Sequence, residues 1–243
     1  MSNQYQPQES GLRIGTFTGA PVVVEPTFLL LGAYVVGSAL MRDGSGALGD
    51  ALIFVGVIFV AIIIHEFGHA AMATALKIRS RRIVLTFFGG YVEFVRPPQK
   101  AWHEIAVSAA GPGANIASWI LVSSALPLLG PALGYSETNA TVLSALSTFA
   151  FLSLILGIFN LIPGFPLDGG HILRAALTYV VSRRNARMIA AYVGLAVAAL
   201  LALWALSQMM IWTIFISGML GLAAWAELRA AQNEPQFDSR SNA

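Results

Sequence analysis

Cysteine is absent from this 243-residue chain. No disulfide can staple it, and no thiolate can act as nucleophile or metal ligand. Any metal site must be built from imidazole and carboxylate. Charge is scarce as well: Asp, Glu, Lys and Arg make up 11% of the residues, against about 25% in a soluble domain. Hydrophobic residues reach 56%, and the mean hydropathy is +0.71. Such a chain cannot cover itself with a soluble surface, so lipid is its expected solvent. The net charge of +2 is too small to suggest a nucleic-acid partner. The opening MSNQYQPQESG has no basic start and no apolar core, so no cleaved signal peptide is visible. No internal repeat is apparent, nor a linker long enough to set off a second domain.

What is present is a series of apolar segments. Six are expected to cross the membrane: about 27–41, 51–76, 105–129, 142–162, 189–206 and 209–227. Each approaches the ~17–25 apolar residues a spanning helix needs, the first by tilting or by borrowing Val22–Val24. Lys77, Arg79, Arg81, Arg82, Arg96 and Lys100 lie between the second and third segments, and Arg174, Arg183, Arg184 and Arg187 between the fourth and fifth. The alternate loops hold only Arg42. By the positive-inside rule both basic loops and both termini are cytoplasmic. Residues 1–11 and 231–243 read as disordered ends around one membrane-embedded domain, 12–230.

Two stretches are rich in β-formers. Ile83–Val95 reads as a hairpin turning at Gly89-Gly90, and Leu12–Val24 as a weaker one turning near Thr18-Gly19. An unpaired strand edge is not tolerated in lipid, so both belong at the cytoplasmic interface. The expected fold class is an all-α membrane protein of about six transmembrane helices with a small β-hairpin or sheet at that interface.

Chemistry concentrates at His65-Glu66-Phe67-Gly68-His69, which fits H-E-x-x-H. Four residues is just over one helical turn, so both imidazoles project from one face and can hold one zinc ion. Glu66 lies beside them without needing to coordinate. It is placed to take a proton from water and pass it to a leaving amine. A chance match is the bland alternative. Against it, a charged residue deep in a membrane segment is expensive and is functional by default.

A catalytic zinc normally takes three protein ligands. His103 and His171 remain, but Asp168 is the stronger candidate. It follows the fourth segment in Asn160-Leu-Ile-Pro-Gly-Phe-Pro-Leu-Asp168-Gly-Gly, where prolines and glycines break the helix. The alternative is a capping role for Asp168 on a helix over 169–181. The His pair lies roughly 12–18 Å from the basic end at Lys77, at 1.5 Å per residue, which puts it in the cytoplasmic half of the membrane.

HEFGH, the element NLIPGFPLDGGHILRA and, between them, Ala110-Gly-Pro-Gly-Ala-Asn115 together resemble the site-2 proteases, the intramembrane zinc metalloproteases. The resemblance covers about Ile14–Arg229. It implies His65, His69 and Asp168 as ligands of one Zn²⁺ per chain and Glu66 as catalytic base. It implies substrate-binding roles for Asn160 and Asn115, whose amides would hold substrate backbone or polarise the scissile carbonyl; an interhelical hydrogen bond is the alternative for each. The Gly89-Gly90 hairpin resembles the family's membrane-associated β element, whose edge would pair with an unwound substrate. The implied partners are the bilayer and a membrane-protein substrate with a single transmembrane helix, such as a regulator. The implied location is a prokaryotic cytoplasmic (inner) membrane. Two departures stand out. There is no room for the PDZ or CBS modules of some relatives, and Glu25 stands where a neutral residue or His is expected. A metal transporter and a proteolytically inactive relative are the rival readings. The few polar residues in the outer halves of the segments weigh against the first, and the presence of Glu66 against the second.

Overall fold

The computed structural model describes residues 11–43, 47–87 and 89–233. The expected disorder of 1–10 and 234–243 therefore lies outside the described residues. The elements run β1 (Leu12–Phe17), β2 (Ala20–Val24), α1 (Pro26–Asp43), α2 (Leu48–Ala75), β3 (Ser80–Thr86), β4 (Gly89–Phe94), α3 (Ala101–Leu133), α4 (Glu137–Asn160), α5 (Asp168–Leu177), α6 (Arg183–Ser207) and α7 (Ile211–Asn233). Five helices, α2, α3, α4, α6 and α7, are long and apolar enough to cross a membrane. The first expected span falls short. Its apolar helical stretch is Pro26–Met41, and Val22–Val24 cannot extend it because they form β2. At the other end α7 runs to Asn233, past the residue where a disordered tail was expected to begin. Many large apolar side chains on the helices stay exposed, Leu128 at 75% and Leu121 at 72% among them. That pattern suits lipid, not water.

The chain divides into two compact units, one of Met1–Pro97 with Gly113–Gly157 and one of Pro98–Pro112 with Ile158–Ala243. The first unit carries a four-stranded sheet in the order β1-β2-β3-β4. Both expected hairpins are there. β1 and β2 turn through Thr18 (φ 50°) and Gly19 (φ 84°), the two left-handed residues a tight hairpin turn requires. The second turn differs from expectation. Thr86 pairs directly with Gly89 and Leu85 with Gly90, so both glycines belong to strand β4 and the turn precedes them. Between the hairpins, β2 and β3 pair in parallel, Val22 opposite Ile83 and Val24 opposite Leu85. Parallel central strands are buried on both faces and read as continuous apolar runs. Accordingly Ile83, Val84 and Leu85 are 0% exposed.

The sheet packs on α2. Ala70 joins Ala20, Val22 and Ile83 in one buried cluster, with Phe17, Phe67 and Val92 against it. The Phe17 and Phe67 rings stack at 3.9 Å with an interplanar angle of 1°. A second cluster joins Ile62 to Val24, Phe28 and Leu85. The turn of α2 that carries the histidines is thus held by the sheet on its neighbouring face.

The second unit centres on α6 and α7. Their buried residues are mostly small: Ala186, Ala190, Ala191, Gly194 and Ala198 on α6, and Ser217, Ala224 and Ala231 beside Leu228 on α7. Small residues let membrane helices approach closely where no hydrophobic driving force separates lipid from protein. Arg187 and Glu227 add an ion pair at 2.7 Å.

Candidate metal centre and active site

In the first unit His65, Glu66 and His69 are all buried, at 5%, 3% and 8% exposure. The helical spacing sets the two imidazole rings with centroids 4.7 Å apart and nearly perpendicular. Asn115, on α3, is 0% exposed. Its Oδ1 lies 2.6 Å from His65 Nδ1, and its Nδ2 donates to the carbonyl oxygen of Ala61 at 3.0 Å. Both ends of the Asn115 amide are thus engaged with groups of α2. The Gly111-Pro112-Gly113 sequence before it lies within a helix that is continuous from Ala101 to Leu133.

Glu66 meets strand β4. A Cβ built on Gly90 would fall 2.6 to 2.8 Å from Glu66 Cγ, Oε1 and Cδ, closer than any real side chain tolerates. Gly89 has φ +127°, with open space around its Cα. One glycine thus makes room for the carboxylate, and its neighbour supplies a backbone conformation that side chains resist.

In the second unit Asp168 is the first residue of α5. It does not cap that helix. The cap position is Leu167, with no side-chain cap hydrogen bond. A carboxylate in a first helical turn is favoured by the helix dipole. The loop before it is held from several directions. Phe165 is buried with Ala190, Ala191, Ala224 and Leu228. Gly164 lies against Gly194, where a Cβ would come within 2.6 Å of the Gly194 Cα, and Gly169 and Gly170 pack directly on the loop backbone. Any side chain at these glycines would push the Asp168 backbone away. Asn160 ends α4 and is half-buried.

A further clasp in this unit joins the element 160–175 to Glu104, a residue outside the motifs. Arg174 donates to Glu104 from Nε at 3.0 Å and from NH2, and its guanidinium lies 5.5 Å from the Phe165 ring centroid. His171 sits 3.7 Å from the same carboxylate and edge-on to Phe165. Thus α5 is tied both to the first turns of α3 and to the loop that leads into it. His171 and His103, the other candidate ligands, are half-buried, and His103 stacks edge-on with Trp102. The signals in the sequence were His171 and Arg174 within the element 160–175 and an isolated acid, Glu104, at the start of an apolar helix.

The first unit offers the imidazoles of His65 and His69, and the second the carboxylate of Asp168. Two imidazoles and one carboxylate are a donor set that zinc takes in catalytic sites with an open position, so these residues fit zinc.

Known proteins agree. The family model described as Peptidase family M50 matches residues 53–129 and 132–201. The zinc metalloprotease MJ0392 of Methanocaldococcus jannaschii is 30% identical over 226 residues, which is 93% of this chain and 63% of that protein. The stage IV sporulation protein FB of Bacillus subtilis is 29% identical over 168 residues, 65% of this chain and 54% of that protein. This chain thus spans under two thirds of the length of these relatives. The solved site-2 protease from Methanocaldococcus jannaschii matches with a TM-score of 0.68 and 28% identity, over 94% of this chain and all of that one. The chain belongs to peptidase family M50, the site-2 proteases.

Proposed function

We propose that this chain is a zinc-dependent intramembrane endopeptidase that cuts transmembrane segments of other membrane proteins. The observation that carries the reading is the burial of an H-E-x-x-H pair, Glu66 included at 3% exposure, in a helix long and apolar enough to span the bilayer. A glutamate between two histidines at such a depth needs a chemical reason, and peptide hydrolysis supplies one. Residues 12–230 act as one protease domain in this reading, supported by the family match across both compact units.

His65, His69 and Asp168 would hold the zinc. Bound there, zinc polarises the scissile carbonyl and lowers the pKa of a water to about 7. Glu66 takes the proton of the attacking water and delivers it to the departing amine. Its burial beside Gly90 keeps the carboxylate in one place for both transfers. Strand β4 closes the sheet at one edge and runs past Glu66 at Gly90. An unwound substrate segment adding to that edge would gain main-chain hydrogen bonds without any demand on its sequence. Gly89 and Gly90 thereby belong to the substrate site. Asn160 would hold substrate backbone or polarise the carbonyl in this reading.

The substrate is a membrane protein with a single transmembrane helix, a regulator being one such class. The basic loops flank α3 and α4, which are both long enough to span, so they share a side whatever the state of α1. This supports cytoplasmic basic loops and termini, and an inner-membrane location. Substituting Glu66→Gln tests the assignment: zinc binding stays and cleavage is lost. Cleavage at the original rate would remove Glu66 from the mechanism.

A further inference from the structure

We propose that Asn115 is a positioning residue for the metal centre, fixing the tautomer of His65 so that Nε2 is the atom presented to the metal. The inference rests on the reading of His65 as a ligand and goes beyond it, because it assigns the ligating atom and the residue that selects it.

The argument is one of donors and acceptors. An amide's two ends are easily confused, but here the partner decides. The carbonyl oxygen of Ala61 can only accept, so the group 3.0 Å from it must be the NH₂ of Asn115. That leaves Oδ1 facing His65 Nδ1 at 2.6 Å. An amide oxygen cannot donate, so Nδ1 must carry the proton. A neutral imidazole holds one proton, and its lone pair therefore sits on Nε2.

Burial makes the selection firm. Asn115 is 0% exposed and His65 5% exposed, so water cannot readily supply the alternative partner that the other tautomer would need. The geometry also grips the right piece of backbone. Ala61 lies four residues before His65 on α2, so one amide holds both the ring and the turn of helix beneath it. Ligating histidines generally donate their second ring N–H to a fixed acceptor, which orients the ring and raises its basicity. Removing such a partner typically lowers metal affinity by about 10–100-fold.

The test uses the full chain in detergent or lipid, with zinc alone as the probe and a chromophoric chelator as competitor. Asn115→Leu removes the acceptor at similar volume. Asn115→Asp keeps an oxygen for His65 but gives up the donor to Ala61. The expected result is zinc binding weakened by about 10–100-fold in Asn115→Leu and by only a few-fold in Asn115→Asp. A merely structural bridge would instead make the two variants equally weak, since both lose the Ala61 bond. Zinc binding of wild-type strength in Asn115→Leu would also overturn the proposal. Should Asn115→Leu fail to fold, the wild-type protein still decides. With its histidines labelled with ¹⁵N and zinc bound, the Nδ1 of His65 should carry the proton, and coordination through Nδ1 would overturn the inference. A wild-type chain that binds no zinc removes the ligand reading itself. A wild-type chain that binds zinc no better than Asn115→Leu removes this inference alone.

Discussion

Gly90 of strand β4 lies directly against the carboxylate of Glu66, with no space for a Cβ between strand and side chain. A methyl group there must displace either the strand or the acid. Gly90→Ala is therefore expected to lose most peptidase activity, on the order of 10²-fold, the lower end of what general acid–base catalysis contributes. Zinc binding should stay near wild type, because Glu66 is not a ligand in this account. Activity and bound zinc measured on one preparation check both halves. A fully active Gly90→Ala would show that the contact does not constrain the base.

Asp168 is the proposed ligand that stands farthest in sequence from the histidine pair. Asp168→Ala is expected to lower zinc occupancy well below one per chain, while Asp168→Glu, with its longer reach, should recover part of it. Metal analysis after exhaustive dialysis reads the result. Unchanged occupancy in Asp168→Ala would move the third ligand to another residue.

Much of this site was legible in the chain itself. HEFGH declares its geometry because four residues is about one helical turn, and it stands inside a long apolar run. The two hairpins were readable from β-formers around turn residues. The parallel pairing of Val22–Val24 with Ile83–Leu85 was not, since strands separated by two helices leave no local sign of their partner. Gly89-Gly90 misled because glycine marks a tight turn and a close approach equally well, and here the approach of Glu66 is the reason for Gly90. For Asn115 the residue type pointed to a functional hydrogen bond, but only the fold shows that its partners are His65 and Ala61. The Glu104–Arg174 clasp joins residues 70 positions apart; Arg174 stands in the second motif, but nothing in the motif names Glu104 as its partner.

That clasp makes a prediction about stability. The Glu104 side chain is only 17% exposed and Arg174 27%, so removing one partner leaves a charge partly stranded. Glu104→Gln is expected to lower stability by about 1–3 kcal/mol. Arg174→Lys should rescue little, because a point charge cannot reproduce the forked contact. Thermal unfolding of the three proteins in one detergent compares them. No shift in Glu104→Gln would show the clasp to be idle.

The β3–β4 hairpin carries a pH-dependent contact. Hydrogen bonds from Arg82 and then Arg81 hold the Glu93 carboxyl below its usual value of 4.5, with N···O distances of 2.6 and 2.9 Å. A carboxyl whose folded pKa is depressed adds stability above its unfolded pKa, and that stability is lost as pH falls through the lower folded value. The contribution of this contact to hydrogen-exchange protection in β3 and β4 should therefore be full and independent of pH near neutrality, and be lost as pH drops below about 4.5. The effect is small, under about 1 kcal/mol, since the pair is partly exposed. Glu93→Gln should abolish this acid-dependent part, and a profile unchanged by that substitution would place its origin elsewhere.

The central claim is that Glu66, buried in a membrane helix, cuts other membrane proteins. The most direct test compares membrane proteomes of cells carrying the active chain with those of cells carrying Glu66→Gln at equal abundance. At least one protein with a single transmembrane helix should accumulate uncut with Glu66→Gln, and its fragment end should map within that helix when the active chain is present. Identical proteomes, or a cut that persists with Glu66→Gln, would contradict the account.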